Sequence, residues 1–275
     1  MSFFDIEVSR EIWNGKLPIK VMLCKDEIDT QRTWKWQDPI YTEMSRCSYL
    51  PLLSQQLSSV LDLTVEPSDI WYDFNGEPLK WHYPIGLLYD MYRLDESESA
   101  PPLPWDLTIH VQNFPTEKLL RRPSVETAQD MFMSMIKEAD FLRHGTTKRV
   151  MNLSKRDQTQ LWESVASDHF EEYWSVNKRL LETTTSQPLR HIPLRLYLPD
   201  QCPVIQELVS AEDTERSLGE VLSGILPDLF PSSLLESSAI PLIHGIHLPL
   251  DTPIIWAAEN LSFADNFLHI VLNKA

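Results

Sequence analysis

One ordered pattern of elements occurs twice along this chain. Residues 70–114 and 242–274 each contain an apolar strand, a turn with glycine, a Leu-Pro region, a short helical segment and a final strand. The strands are indicated by apolar residues at every second position, and the glycine turns separate them. Two copies spaced this far apart are typical of two small domains, each folded around its own core.

A further strand and a longer helix precede each copy. Residues 17–23 alternate apolar and other side chains, and Pro18 indicates a strand start or an edge strand. Residues 192–198 alternate in the same way, with 204–209 as the predicted hairpin partner. Helices are predicted at 48–61, 84–92, 214–226 and 253–260. These patterns predict an α+β fold with two ubiquitin-like β-grasp domains.

The remaining segments are predicted to be helical. Apolar residues at helical spacing end at Trp13, before the stop signal Asn14-Gly15. A central helix begins after Ser124 and ends at Gly145, and a second, longer helix begins after Ser154 and continues to about residue 180. The predicted organisation is an N-terminal helix at 1–16, a first ubiquitin-like domain at 17–117, a helix-rich region at 118–188 and a second ubiquitin-like domain at 189–275.

The charge balance argues against nucleic acid as the principal partner. The net charge is −16, whereas phosphate binding needs a basic face. Residues 118–182 differ from the acidic ends of the chain, with 11 basic and 10 acidic side chains. Within them, the doublets Lys148-Arg149 and Lys155-Arg156 are candidates for contact with an anionic lipid surface, the alternative being ordinary solvated helix faces.

Targeting and membrane-spanning signals are absent from the sequence. No apolar run approaches the roughly 20 residues that a bilayer-spanning helix needs, and the first residues lack the basic flank and apolar core of a signal peptide. We therefore expect a cytoplasmic protein whose membrane contact is peripheral.

No catalytic motif is present. The seven glycines form no GxGxxG, P-loop or GxSxG, so we expect no enzyme activity and no cofactor. Cys24, Cys47 and Cys202 are far apart and are interpreted as reduced core thiols, with neither a disulfide nor a zinc site expected. His244 and His247 lie three residues apart on a predicted strand and so face opposite sides, which also argues against a metal site.

The last three residues, Asn273-Lys274-Ala275, lack the Gly-Gly with which a ubiquitin-like modifier enters its activating enzymes. A β-grasp chain of this kind is expected to bind a modifier or to receive one rather than to serve as one.

Seven sequence blocks carry a resemblance to a known family. They are WNGKLP at 13–18, PLKWHYPIGLLY at 78–89, LPWDLTIH at 103–110, MSMIKEAD at 133–140, FEEYW at 170–174, IHGI at 243–246 and NFLHI at 266–270. In this order they resemble the autophagy protein 5 family, and KWHYPIG is the most distinctive of them. The loops around 34–36 and 95–99 depart from the family pattern.

The resemblance implies a scaffold that accepts a modifier. It implies that ubiquitin-like autophagy protein 12 is joined by an E2-like conjugating enzyme to the lysine of the MSMIKEAD block, Lys137. The conjugate with coiled-coil autophagy protein 16 then acts like an E3 ligase, promoting lipidation of autophagy protein 8 on phosphatidylethanolamine. The location implied is the preautophagosomal structure membrane.

The residues around Lys137 bear on its reactivity. Met133 and Phe141, four positions to either side, form a partly apolar collar on the predicted helix, and such a collar favours a neutral amine. Glu138 and Asp140 favour the charged form, so the sequence leaves the balance open.

Partner contacts are predicted at aromatic residues. An amphipathic partner helix is expected to lie in a groove near the N-terminal helix, with Trp13, Trp81 and Tyr83 as anchors. Two other classes of protein remain: a β-grasp adaptor that is not modified, and a peptidase or transferase that uses Cys202 with a histidine the sequence does not place.

Overall fold

The computed structural model describes residues 4–27, 38–61, 69–92, 103–183, 188–198, 202–231, 233 and 237–274. The loops at 34–36 and 95–99 lie outside these ranges. The chain divides into two compact units. Lys16–Tyr89 and Pro101–Met131 form what we call the first unit, and Met1–Gly15, Asp90–Ala100 and Phe132–Ala275 form the second unit. The predicted domain boundaries stay predictions.

The elements follow one another in the order α1 (Ile6–Trp13), β1 (Lys16–Leu23), a 3-10 turn (Lys25–Glu27), β2 (Ile40–Ser45), α2 (Leu50–Leu61), β3 (Trp71–Phe74), β4 (Glu77–Pro78), α3 (Ile85–Met91), β5 (Trp105–His110), α4 (Val125–His144), α5 (Lys148–Met151), α6 (Lys155–Ala166), α7 (Phe170–Leu181), β6 (His191–Ile192), β7 (Leu194–Tyr197), β8 (Val209–Ser210), α8 (Leu218–Ile225), β9 (Ala239–Ile243), β10 (Ile246–His247), α9 (Ile254–Asn260) and β11 (Leu268–Lys274).

The first unit is built on a five-stranded sheet with the order β2-β1-β5-β3-β4. Strands β1 and β5 run parallel in register, with Val21 opposite Leu107, and the other neighbours are antiparallel. The alternation predicted for β1 is confirmed, because Ile19 and Val21 are fully buried. The edge position considered for Pro18 is wrong, since β1 lies inside the sheet. Pro18 is instead near the strand start, before pairing with β5 begins at Ile19.

The second unit contains a four-stranded sheet with the order β10-β9-β11-β7 and a small sheet of β6 and β8. Strands β7 and β11 are parallel, the counterpart of β1 and β5. The single strand predicted at 192–198 is interrupted at Pro193, which lacks the N–H that a continuous ladder needs. The predicted hairpin at 204–209 consists of an Ile205 bridge to Leu196 and the short strand β8. The two sheets confirm the predicted α+β class with two β-grasp folds.

The helical region departs from the prediction. Helix α4 is present as predicted. The prediction of one long second helix is wrong, because this segment forms two helices, α6 and α7. Asp168, between them, has φ +60°, a left-handed backbone that ends a helix. The two helices then run antiparallel, with Gln160 Nε2 donating to the Glu172 carbonyl at 2.9 Å and Arg179 3.1 Å from Asp157. Their apolar faces meet because the chain reverses at this point.

Two smaller expectations are also corrected. His244 lies in a turn with φ +50° rather than in a strand, and it is buried with its Nε2 2.9 Å from the Leu261 carbonyl oxygen. Cys202 is exposed rather than a core thiol, since it lies in a loop, and loops follow the protein surface. Cys47 is buried and Cys24 is half-buried.

Candidate functional site

Helix α4 carries the predicted acceptor lysine. Ser124 caps it, accepting a hydrogen bond on Oγ from the Thr127 N–H at 3.2 Å. Gly145, with φ +71°, ends it by donating to the Phe141 carbonyl at 2.7 Å. One face of α4 is buried at Phe132, Ile136, Ala139 and Arg143. Lys137 lies on the exposed part of the helix surface. Both ends of the helix that carries the lysine are therefore closed by hydrogen bonds.

The amine of Lys137 has no polar partner among the described residues. Ser134 and Phe141, one turn to either side, are exposed as well, and Phe141 is 55% exposed. Met133 is only 9% exposed. The predicted apolar collar around Lys137 is therefore formed mainly by Phe141, whose ring remains accessible.

The two acidic neighbours of Lys137 are bound elsewhere. Glu138 Oε2 is 3.0 Å from Arg195 Nη2, and Glu138 Oε1 accepts a hydrogen bond from Gln206 at 2.8 Å. Asp140 is buried and accepts a hydrogen bond from the Val150 N–H at 3.2 Å. Burial raises the pKa of Asp140, although that hydrogen bond and Arg149 act against the rise. Neither carboxylate forms an ion pair with Lys137.

The last turn of α4 contains a group that sequence reasoning missed. Arg143 is 1% exposed, and among the described residues its buried Nε and Nη1 atoms have no hydrogen-bond partner. Burial lowers the pKa of this guanidinium to about 10, with Glu259 acting in the opposite direction. Arg143 lines a cavity of about 410 Å³ together with Phe4, Trp174, Lys178, Leu181, Glu182, Thr183 and Glu259. Only its position seven residues after Ile136 on the apolar face could have indicated its burial.

The predicted partner-binding residues lie in both units. Trp13 is 5% exposed and packs in the second unit against Tyr173 and Phe170, with ring centroids 4.7 and 5.7 Å away. Trp81, in the first unit, is 4% exposed and donates from its indole nitrogen to the Leu120 carbonyl at 2.7 Å. Tyr83 is partly exposed. Of the three, Tyr83 offers the most accessible side chain, and the partner-binding role of all three stays a prediction.

The basic doublets differ in how their side chains are used. Lys148, Lys155 and Arg156 are exposed. Arg149 donates hydrogen bonds to the carbonyl oxygens of Arg179 and Glu182, at the C-terminal end of α7. Arg149 therefore stabilises a helix end, while the other three leave their charges in solvent.

Among the described residues, no helix combines the length and the apolar character needed to cross a bilayer.

Comparison with known proteins assigns the chain to a family. The family models described as the UblA domain, the alpha-helical bundle region and the UblB domain of autophagy protein ATG5 match residues 12–111, 125–183 and 191–272. A relative from Phaeosphaeria nodorum, autophagy protein 5, is 36% identical over 95% of each chain. The Drosophila melanogaster autophagy protein 5 is 35% identical, covering 97% of this chain and 96% of its own.

A solved structure supports the fold. The crystal structure of Kluyveromyces marxianus Atg5 superposes with a TM-score of 0.76 over 97% of this chain and 99% of that one, at 24% identity. That likeness concerns the fold alone. Because the family models cover most of the chain and relatives above 30% identity cover nearly all of it, the chain belongs to the autophagy protein 5 family.

Proposed function

We propose that this chain is an autophagy scaffold that accepts ubiquitin-like autophagy protein 12 at Lys137. The conjugate, with coiled-coil autophagy protein 16, then acts like an E3 ligase in the lipidation of autophagy protein 8 on phosphatidylethanolamine. It works in the cytoplasm and peripherally at the preautophagosomal structure membrane. The observation that carries the proposal is the exposed amine of Lys137 on the capped helix α4, which has no ion-pair partner in the part of the chain that the structure describes.

The chemistry requires an accessible amine. Lys137 Nζ attacks the carbonyl of a thioester between the modifier's C-terminal glycine and an E2-like enzyme. An isopeptide bond forms, the carbon–sulfur bond breaks, the thiolate leaves and the amine loses a proton. An amine held in an ion pair would have to break it first. In this structure Glu138 and Asp140 are bound to Arg195 and to the Val150 N–H instead.

The surroundings of Lys137 also suit an approaching enzyme. Phe141 presents an accessible ring one turn from the amine, and exposed aromatic side chains are frequent anchors at protein interfaces. The two β-grasp folds offer further surfaces for partners, and no catalytic group is needed on this chain because the E2-like enzyme holds the activated thioester.

The test is the variant Lys137→Arg, which keeps charge and length but cannot form the isopeptide bond. We expect the heavier covalent species on an immunoblot to disappear, together with lipidated autophagy protein 8, while circular dichroism and binding to autophagy protein 16 stay unchanged. Lys155→Arg is the matched control, since Lys155 is likewise an exposed lysine on a helix of the second unit. A conjugate that persists in Lys137→Arg, mapped by mass spectrometry to another lysine, would overturn the site.

The experiment also separates the alternatives. A non-covalent adaptor would show no heavier species in the unaltered protein. A thiol enzyme would lose activity on alkylation of Cys202, which is exposed and has no described histidine bonded to it. For the proposed function, alkylation leaves lipidation intact.

A further inference from the structure

A cluster of metal-ligand side chains lies where β1 and β5 end together in the first unit. The parallel pairing of these strands reaches Leu23 and Ile109, and the Cys24 N–H then donates to the Ile109 carbonyl at 3.0 Å. The 3-10 turn follows directly, with the Glu27 N–H donating to the Cys24 carbonyl at 3.1 Å. Backbone geometry thus brings Cys24 and Glu27 beside the end of β5.

Three side chains from this corner converge. One ligand atom each of Cys24, Glu27 and His110 lies within 4.8 Å of both others. His110 Nδ1 is 3.0 Å from Glu27 Oε1. Around a tetrahedral zinc ion, bonds of about 2.0 to 2.3 Å place neighbouring ligand atoms roughly 3.3 to 3.8 Å apart. The distance between His110 and Glu27 is close to that spacing, and the limit of 4.8 Å that includes Cys24 exceeds it by about 1 Å.

The side chains around His110 fix its ring in the orientation that a metal ligand needs. His110 Nε2 is 2.5 Å from Asp73 Oδ2, and Asp73 Oδ1 accepts the Gly76 N–H at 2.8 Å. A carboxylate on the far nitrogen of a ligating histidine is the usual outer partner in zinc sites. Trp71 stacks on the ring with centroids 3.7 Å apart and an 8° angle between the planes. With Nε2 committed to Asp73, Nδ1 is left facing Glu27.

The carboxylate of Glu27 is also held in place by a hydrogen bond. Glu27 Oε2 accepts the Val111 N–H at 2.7 Å, which leaves Oε1 directed at His110. The side chains of Glu27, Asp73 and His110 are 7%, 10% and 12% exposed. Two largely buried carboxylates therefore face a single imidazole, which balances at most one of them, and a divalent cation would offset the remaining negative charge.

We propose that Cys24, Glu27 and His110 form a zinc-class metal site with Asp73 as its positioning residue. A thiolate and an imidazole together select zinc or cobalt over magnesium and calcium, which prefer oxygen ligands alone. Three protein ligands leave a fourth position for water or a further ligand. The ion would tie the 3-10 turn to the end of β5. The residues of this site belong to the first unit and Lys137 belongs to the second, and the proposal is independent of the proposed conjugation.

Cobalt titration of the full chain, stripped with a chelator and kept reduced, provides the test. We expect one equivalent of Co²⁺ to bind, with visible bands of tetrahedral coordination and a near-ultraviolet thiolate charge-transfer band, and Zn²⁺ to displace it. Cys24→Ser should remove the charge-transfer band and weaken binding at least 10-fold. Cys202→Ser, which alters an exposed thiol in the other unit, should change neither.

Asp73→Asn separates a positioning role from ligation. This variant should keep the charge-transfer band and bind Co²⁺ about 10- to 100-fold more weakly. A loss of this size is typical when the residue that hydrogen-bonds to a metal ligand is changed. Absence of stoichiometric Co²⁺ and Zn²⁺ binding at micromolar concentration would overturn the proposal and assign the cluster to a hydrogen-bonded network only. Equal binding by Cys24→Ser and the unaltered protein would overturn it as well. Because Cys24→Ser changes one atom of a half-buried side chain, the test does not depend on variants of the more buried His110.

Discussion

Asn177 and Asn266 exchange a pair of side-chain hydrogen bonds, with Asn177 Nδ2 donating to Asn266 Oδ1 at 2.9 Å and Asn266 Nδ2 donating back to Asn177 Oδ1 at 2.8 Å. Both side chains are buried. Tyr173 lies one turn earlier on α7 and donates from its hydroxyl to the Ala264 carbonyl at 2.8 Å. Helix α7 is therefore joined through polar groups to the loop that leads into β11.

We expect Asn177→Ala to destabilise the second unit. The change removes the partner of the buried Asn266 amide N–H and leaves Asn266 Oδ1 with only the Tyr173 hydroxyl at 3.5 Å, which costs about 2 to 4 kcal/mol of unfolding free energy. Urea unfolding followed by circular dichroism measures this loss. Asn152→Ala alters an exposed asparagine in the same unit and should change stability far less. Equal effects of the two variants would show that the amide pair contributes nothing specific.

Local patterns in the sequence were sufficient to predict an element where one sequence signal dominates. The Asn75-Gly76 turn is present as predicted, with φ values of +52° and +83° that favour these two residue types. Strand β1 was identifiable because every second side chain enters the core. Helix α4 was identifiable from its cap and its final glycine.

Features that depend on contacts between distant segments could not be predicted from local sequence patterns. The break at Asp168 interrupts an unbroken helical pattern, since apolar residues of α6 and α7 continue the same spacing. Cys24, Glu27, Asp73 and His110 come from three separate segments, and the pairing of β5 with β1 on one side and with β3 on the other brings them together. The pairing of Glu138 with Arg195 was likewise hidden, because the partner is 57 residues away.

Asp140 gives a pH-dependent prediction. Burial raises its pKa above the ordinary value of 3.8, so the folded chain binds that proton more tightly than the unfolded chain does. Ionisation of Asp140 therefore lowers the stability of the folded state at pH values above the pKa of Asp140 in the folded chain. This loss of stability is absent at pH values below the pKa of Asp140 in the unfolded chain. Relative to the unaltered protein, Asp140→Asn should gain stability as the pH rises from 3 to 7.

Asp157→Asn is the matched control for Asp140→Asn, and its relative stability should change with pH in the opposite direction. The hydrogen bond from Arg179 lowers the pKa of Asp157, so its stabilisation is present above the unfolded value and is lost as the pH falls through the folded pKa. Asp157→Asn should therefore lose stability relative to the unaltered protein as the pH rises. Urea midpoints at several pH values measure both differences, and two slopes of the same sign would contradict the assignment.

Membrane contact through the basic side chains is predicted to involve three of the four candidates. Each exposed Lys or Arg near an anionic leaflet contributes about 1 kcal/mol, so changing Lys148, Lys155 and Arg156 together to Glu should reduce binding to phosphatidylserine vesicles by more than about 100-fold. Arg149 is already bound to carbonyl oxygens, so Arg149→Glu is expected to destabilise the end of α7.

Vesicle flotation at two salt concentrations measures this binding. Lys274→Glu, an exposed charge outside the helical region, is the control and should leave flotation nearly unchanged. Flotation of the triple variant at the level of the unaltered protein, or flotation insensitive to salt, would exclude this surface.

The coiled-coil partner is expected to contact Tyr83 more directly than Trp13 or Trp81. Tyr83 is partly exposed, whereas both tryptophans are buried, so Trp13→Ala should cost about 3 to 5 kcal/mol of folding stability before any effect on binding. Tyr83→Ala should leave the circular dichroism spectrum intact and weaken binding of autophagy protein 16 about 10-fold or more, the loss typical of an aromatic interface anchor.

Tyr41→Ala is the matched control, since Tyr41 is 64% exposed and lies in the same unit on β2. Calorimetric titration compares the three variants with the unaltered protein. Unchanged affinity in Tyr83→Ala would remove that residue from the interface, and a folded Trp13→Ala with normal affinity would remove the N-terminal helix.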